Sequence, residues 1–303
     1  MSKYLVKRVL LAILSILIVS AITFFVMNLI PGGPFNKEKA TSKEAQQVLE
    51  ERYNLDKPVP EQYVLYMKNL LHGDWGVSLH SGRDIWQEIT RKFSISAKLG
   101  GVAAIVAIIL GIILGSIAAL TRNRLPDRLI VFFTTLGTAM PSFVLATLLL
   151  LLFCLKLGWV PVWSSSNPNY VLPIIALAAY PMAYITRLTK TSMLDALNQD
   201  YVRTARAKGV HRLKVIFKHA LKNALIPVVT YVGPMVAYIL TGSMVVENIF
   251  TIGGLGTEFV TSIVNRDYTM IMAITIFLAV LMVVANLLTD IAYKLIDPRI
   301  TFE

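Results

Sequence analysis

The residues best placed to do work lie together at positions 200–209, Asp200-Tyr-Val-Arg-Thr-Ala-Arg-Ala-Lys-Gly209, in a strongly basic stretch flanked by apolar runs. The small residues Ala205, Ala207 and Gly209 let another protein's surface come close to the backbone, which points to docking. Gly209, after basic Arg203, Arg206 and Lys208, reads as the C-terminal stop of a short helix that begins near Met193. The stretch is too short to fold as an enzyme of its own. A second amphipathic segment comes next, with Leu213, Ile216, Phe217, Ala220, Leu221, Ala224 and Leu225 on one face and Arg212, Lys214, Lys218 and Lys222 largely on the others. A partner contact and a basic helix lying on anionic lipid are equally open readings of that second segment. Pro227 suits the first turn of the next span.

Other chemistries lack their residues. No Gly-x-x-x-x-Gly-Lys-Ser/Thr sequence occurs, so the chain does not hydrolyse ATP by itself. The four histidines, His72, His80, His211 and His219, have neither His-x-x-x-His spacing nor cysteine partners, so no metal and no cofactor is expected. There is no His-Glu-x-x-His, and no paired mid-membrane carboxylates suggest hydrolysis. Gly253-Gly-Leu-Gly256 has no strand before it and reads as a turn near the membrane surface. Lys98, Glu247 and Asp290 fall near span ends, which weighs against a proton-coupled carrier; sodium sites built from carbonyls and hydroxyls stay open.

These residues must be positioned from a bilayer. At 55% hydrophobic with a mean hydropathy of +0.64, the 303-residue chain is too apolar for a soluble globule. Its net charge of +11 sits at the ends of apolar runs, the signature of cytoplasmic juxtamembrane loops and not of a nucleic-acid surface. The single cysteine, Cys154, excludes an internal disulfide and reads as a packing residue. Six apolar runs are candidate spans, at 9–30, 99–120, 129–155, 171–185, 227–246 and 270–295, the fourth being the shortest and carrying Pro173 and Pro181. Gly111-x-x-x-Gly115 in the second run permits close helix approach, a weakly specific signal. The first run comes after Lys3, Lys7 and Arg8 and, with no small-residue cleavage site after it, reads as a retained anchor.

Basic residues crowd one set of loops, while the opposite short loops offer Lys156 and Arg266, so both termini are expected in the cytoplasm. The expected organisation is a cytoplasmic tip and first helix over 1–30, an extracellular helical segment over 31–94, and a five-helix core over 95–303 carrying a cytoplasmic loop at 187–226. In the outer segment, Thr41 and Glu44 form a capping-box pattern, and Pro58 and Pro60 restart the chain before Tyr63, Met67, Leu70 and Leu71. A helical cap resting on the membrane and a contact for an external partner are both open there.

Thr204-Ala205-x-x-x-Gly209 resembles the cytoplasmic signature of bacterial ABC importer permeases, whose short coupling helix fits a cleft on the ATPase. Arg203 and Thr204 stand where Glu and Ala are common in the best-known form, and Ile226-Pro227 comes later than its usual Leu-Pro. Both departures are similar to the peptide-transport branch. So are Pro31-Gly-Gly-Pro34, Gly73-Asp-Trp-Gly-Val-Ser78, Met140-Pro-Ser-Phe143, Glu247-Asn-Ile-Phe250, Asn265-Arg-Asp-Tyr268 and Asp297-Pro-Arg299, spread over nearly the whole chain. The resemblance is to the first permease subunit of oligopeptide and dipeptide importers, whose relatives include nickel permeases.

The resemblance implies an all-α integral membrane protein of the type I importer permease fold, in the bacterial cytoplasmic membrane and without catalytic residues. It implies a second homologous permease, two cytoplasmic ATP-binding subunits and an extracellular peptide-binding protein or lipoprotein as partners, and no nucleic acid. Asp200, Tyr201, Thr204, Ala205, Lys208 and Gly209 are then the expected ATPase-coupling interface. ATP-driven closure would push coupling helices together, and rigid spans would turn that displacement into alternating access. A nickel-type permease is the nearest alternative and an ion-coupled carrier a more distant one. Residues lining the pathway are not identifiable from one sequence.

Overall fold

The computed structural model describes residues 2–31 and 56–296. The capping-box pattern at Thr41 and Glu44 lies outside them. Among the described residues the chain is helical, with an isolated bridge between Val77 and Asp84. Five helices are long and apolar enough to cross a membrane, six when one bent pair counts as a span. The contacts divide the chain into two compact units, one of 1–95, 253–283 and 302–303, the other of 96–252 and 284–301. Residues 253–283 therefore group with the N-terminal part, whereas the order of apolar runs alone suggests a single core over 95–303.

In the first unit, α1 (Ser2–Leu29) is apolar all round and leaves Leu10, Ile22 and Val26 more than half exposed, as a lipid-facing helix must. α2 (Val59–Leu71) starts where expected, with Pro58 before it and Pro60 in its first turn. Its Tyr63, Met67 and Leu70 pack with Phe24, Met27 and Ile271, and the Tyr63 hydroxyl bonds Ser20 Oγ at 2.8 Å. Leu71 is not part of that face and stands exposed. The Gly-rich stretch 253–256 opens a helix, α11 (Leu255–Asn265), whose Glu258 pairs with Lys92 at 3.1 Å.

Asp267 ties this unit together. Its carboxylate accepts from Ser78 Oγ at 2.5 Å, from the amides of Leu79 and Met270 at 3.1 and 3.2 Å, and from His80 N at 3.4 Å. Thr269 Oγ1 donates to the Val77 carbonyl beside it at 2.8 Å. Alanine at 267 strands several of these donors in a site that is 5% exposed. The expected cost is about 3 kcal/mol, read as a lowered thermal midpoint of the detergent-extracted protein, with Asp267→Asn losing less. An unchanged midpoint for Asp267→Ala would refute this role.

The second unit is built on close helix approach. α3 (Ile85–Leu120) enters it at Ser96, and Gly111 and Gly115 face α6 (Val171–Leu197). A Cβ on Gly115 would lie 2.5 Å from the Thr186 carbonyl oxygen. The pair is thus a true contact in a spacing that is often accidental. Ala103, Ala107, Ala178, Ile185, Val228 and Met235 form the adjoining core.

Four spans differ from their expected form. The second starts at Ile85 and not at residue 99, so its helix takes in residues expected in the outer segment. The third is broken into α4 (Leu125–Ala139) and α5 (Ser142–Leu149), which continues in π-helical turns through Lys156; the two arms are bent by 105°. Met140 precedes Pro141, whose ring pushes it into extended backbone at φ −91° and ψ 123°. The fourth does not stop at Ile185: α6 runs on to Leu197, with Thr186, Thr189, Met193 and Ala196 buried along one face, so packing carries the helix past the apolar run. The fifth begins early, as α8 (Arg212–Lys214), then π-helical turns over Val215–Leu221, then α9 (Lys222–Gly242), so Pro227 lies inside a helix and not at its first turn. α10 (Met244–Ile249) and α12 (Tyr268–Ile296) complete the order.

Candidate coupling site

Helix α6 ends at Leu197, and the chain turns at Asn198 and Gln199 into the separate helix α7 (Asp200–Ala207). The expected single helix from Met193 is therefore two. Met193 and Ala196, on the last turns of α6, pack with Ala119, Ile216, Ala220 and Ala224, which makes a solid base for α7. The arm carrying that base is braced by Lys190, whose Nζ meets Asp127 Oδ1 at 2.5 Å, while the Asn123 amide donates to the other oxygen at 2.9 Å.

The end of α7 is a Schellman motif. The Gly209 amide donates to the Arg206 carbonyl at 3.0 Å and the Val210 amide to the Ala205 carbonyl at 3.2 Å. Gly209 has φ +71°, where an L side chain is strained, and a Cβ there would meet nothing within 4 Å. Glycine is needed for the turn and not, within this chain, for space. The motif's apolar closure is present as well, since Val210 packs on Val202, Ala205 and Val215.

That cluster divides the expected interface residues. Asp200, Tyr201, Thr204, Lys208 and Gly209 are exposed, Tyr201 at 41%. Ala205 is not: at 7% exposure it faces Val202 and Val215, because the turn at Gly209 brings Val215 back beneath the helix. Ala205 is removed from the outward face by this packing. Val202, fully buried and not among the residues expected from sequence, is the one that seats the helix. Its signal was its place three residues before Ala205, with Val210 and Val215 further on. Thr204 Oγ1 bonds the Asp200 carbonyl at 2.9 Å, and the exposed Arg203–Asp200 contact at 3.4 Å adds little in water.

The second amphipathic segment also differs. Ile216, Ala220 and Ala224 are buried as expected, but Leu213 and Phe217 are 57% and 62% exposed. The π-helical turns advance the chain by more residues per turn than an α-helix, so the expected apolar stripe splits. The outcome is a short knob of eight residues on a rigid helical base, offering a phenol, hydroxyl and cations outward. It holds no catalytic grouping.

Residues 111–302 match the family described as binding-protein-dependent transport system inner membrane component, and residues 1–100 match its N-terminal family. A dipeptide transport system permease protein of Bacillus subtilis is 45% identical over 99% of this chain and 98% of its own length. An oligopeptide transport system permease protein of Haemophilus influenzae is 40% identical over the whole of both. Among solved structures, an amino acid ABC transporter aligns with a TM-score of 0.56 at 14% identity, covering 69% of this chain and 94% of that one. The MetNI methionine ABC transporter aligns at 0.58 and 15%, covering 70% and 97%. With full-length relatives and a type I permease architecture in agreement, the chain belongs to the binding-protein-dependent ABC transporter permeases, multi-pass proteins of the bacterial cytoplasmic membrane.

Proposed function

We propose that this chain is one of two different permeases in an ATP-driven peptide importer, paired with a homologous permease, two cytoplasmic ATP-binding subunits and an external peptide-binding protein. Full-length similarity to dipeptide and oligopeptide permeases carries the cargo assignment. The seated α7 knob supports the coupling assignment: Asp200, Tyr201, Thr204, Lys208 and the Gly209 turn form the face that meets the ATPase. Ala205 serves behind that face with Val202. The basic loops support a cytoplasmic side for this knob and both termini.

Force on a rigid knob moves the elements it is fixed to. Displacement of α7 passes through Val202 and Val215 into the helix that becomes α9, and along the backbone into α6. Those two helices share the core around Ile185 and Met235, so they move as packed rods and not as flexible strands.

Reconstitution of the complex in vesicles tests the reading. Uptake of labelled peptide is expected to require the ATP-binding subunits, the binding protein and ATP together. Uptake by this chain alone, driven by an ion gradient, would overturn it in favour of a carrier.

A further inference from the structure

The second unit contains a cavity of about 590 Å³ on which three helix irregularities converge. Its walls include Met140 and Pro141 at the 105° break, Pro181 within α6 and Pro234 within α9. Each proline removes a main-chain donor. Pro181 cannot serve the Leu177 carbonyl, and Leu177 itself lines the cavity. In a bilayer, interrupted helical backbone is tolerated where it is buried in protein or lines a cavity that can satisfy it.

The side chains on the wall are all uncharged. Tyr180, Tyr231, Tyr238 and Ser142 supply hydroxyls among apolar Met, Leu, Ile and Pro side chains, the Thr138 hydroxyl being donated to the Thr134 and Thr135 carbonyls, and no Asp, Glu, Lys, Arg or His is among the lining residues. Tyr231 is held by Tyr184, ring centroids 4.3 Å apart, while Tyr180 and Tyr238 are 47% and 67% exposed. The volume falls within the range of small-ligand sites. Charged groups here would grip peptides of one sign and repel those of the other. Hydroxyls instead match the main-chain amides and carbonyls that every peptide offers, and tyrosine rings accept side chains of many shapes without requiring one.

We infer that this tyrosine-lined cleft is a station on the peptide pathway, where a peptide in transit is held by its backbone and its side chains go unread. The inference rests on the peptide-importer reading above. It predicts tolerance of varied cargo side chains from the uncharged chemistry of the broken helices.

Two measurements on the complete complex in vesicles test it. In the first, a tripeptide bearing a photoreactive benzophenone is illuminated during ATP-dependent uptake, and adducts on this chain are mapped. Labels are expected within 138–142, 177–181 or 231–239. Labels confined to the second permease, or recovery of lipid or that permease's own helix in the cleft, overturn the inference. In the second, Tyr238→Glu and Tyr238→Lys are compared with wild type for uptake of acidic and basic tripeptides. The acidic-to-basic ratio is expected to fall about fivefold or more with glutamate and rise by as much with lysine. Equal effects on both peptides overturn the inference, because a merely structural role does not depend on the sign of the cargo. Should either variant fail to assemble, the photolabel in the wild-type complex decides. Wild-type uptake of the tripeptides separates the two claims: without it the importer reading fails, and with it only the cleft is at stake.

Discussion

A leucine at Gly115 is expected to remove nearly all folded permease from the membrane. The first added carbon would sit 2.5 Å from the Thr186 carbonyl, 2.6 Å from Thr189 Cβ and 3.1 Å from the Lys190 amide. Two of those three are backbone, so no rotamer change relieves the clash and α3 must leave α6. Separation would open the core at Ile185 and Ala107 and shift the arm bearing Lys190 away from Asp127. Overpacking of this kind costs about 3 kcal/mol or more, a large share of a domain's whole stability. Gly101 is the control, lying in the same helix with nothing within 4 Å of the position a Cβ would take. Gly101→Leu is expected to yield normal amounts of monodisperse protein in mild detergent. Equal yields and equal thermal midpoints for the two variants would show that close approach at Gly115 does not hold these helices together.

Aspartate at Val202 is expected to lower peptide-stimulated ATP hydrolysis more than tenfold while the spans still insert. An eight-residue helix is marginal in water, so α7 depends on its seat beneath and on its Schellman end. Val202 is wholly buried in that seat with Ala205, Val210 and Val215. A carboxylate there has no partner, and its burial costs several kcal/mol, more than so short a helix can absorb. The helix would lift or unravel, and the face proposed to meet the ATPase would lose its shape without any outward residue having changed. Val202→Ile keeps the seat apolar and is expected to retain most activity. Full coupling in the aspartate variant would mean that the knob's shape does not transmit the stroke.

The outline of this chain was legible because membrane physics leaves few choices. Twenty-residue apolar runs become helices, and Arg and Lys at their ends set the orientation. Gly209 was legible as a helix stop, since basic residues before a glycine mark that geometry, and the turn at φ +71° bears this out. Which side of α7 faces outward was not legible. Ala205 is small, and smallness suits contact with a partner or with one's own chain. Only the return of Val215 beneath the helix, across a left-handed turn, makes it the latter. The break at Met140 was written in Pro141, yet apolar residues on both sides made one continuous run. The splitting of Leu213 and Phe217 from Ile216 and Ala220 came from π-helical turns, which a 3.6-residue period does not anticipate.

Energy released by ATP hydrolysis is proposed to enter this subunit through the outward face of α7. A photoreactive residue at Tyr201, which is exposed on that face, reads its neighbour directly in the working complex. Adducts with an ATP-binding subunit are expected, in a yield that changes between nucleotide-free and ATP-bound states. Adducts with phospholipid alone, at every stage of turnover, would contradict it.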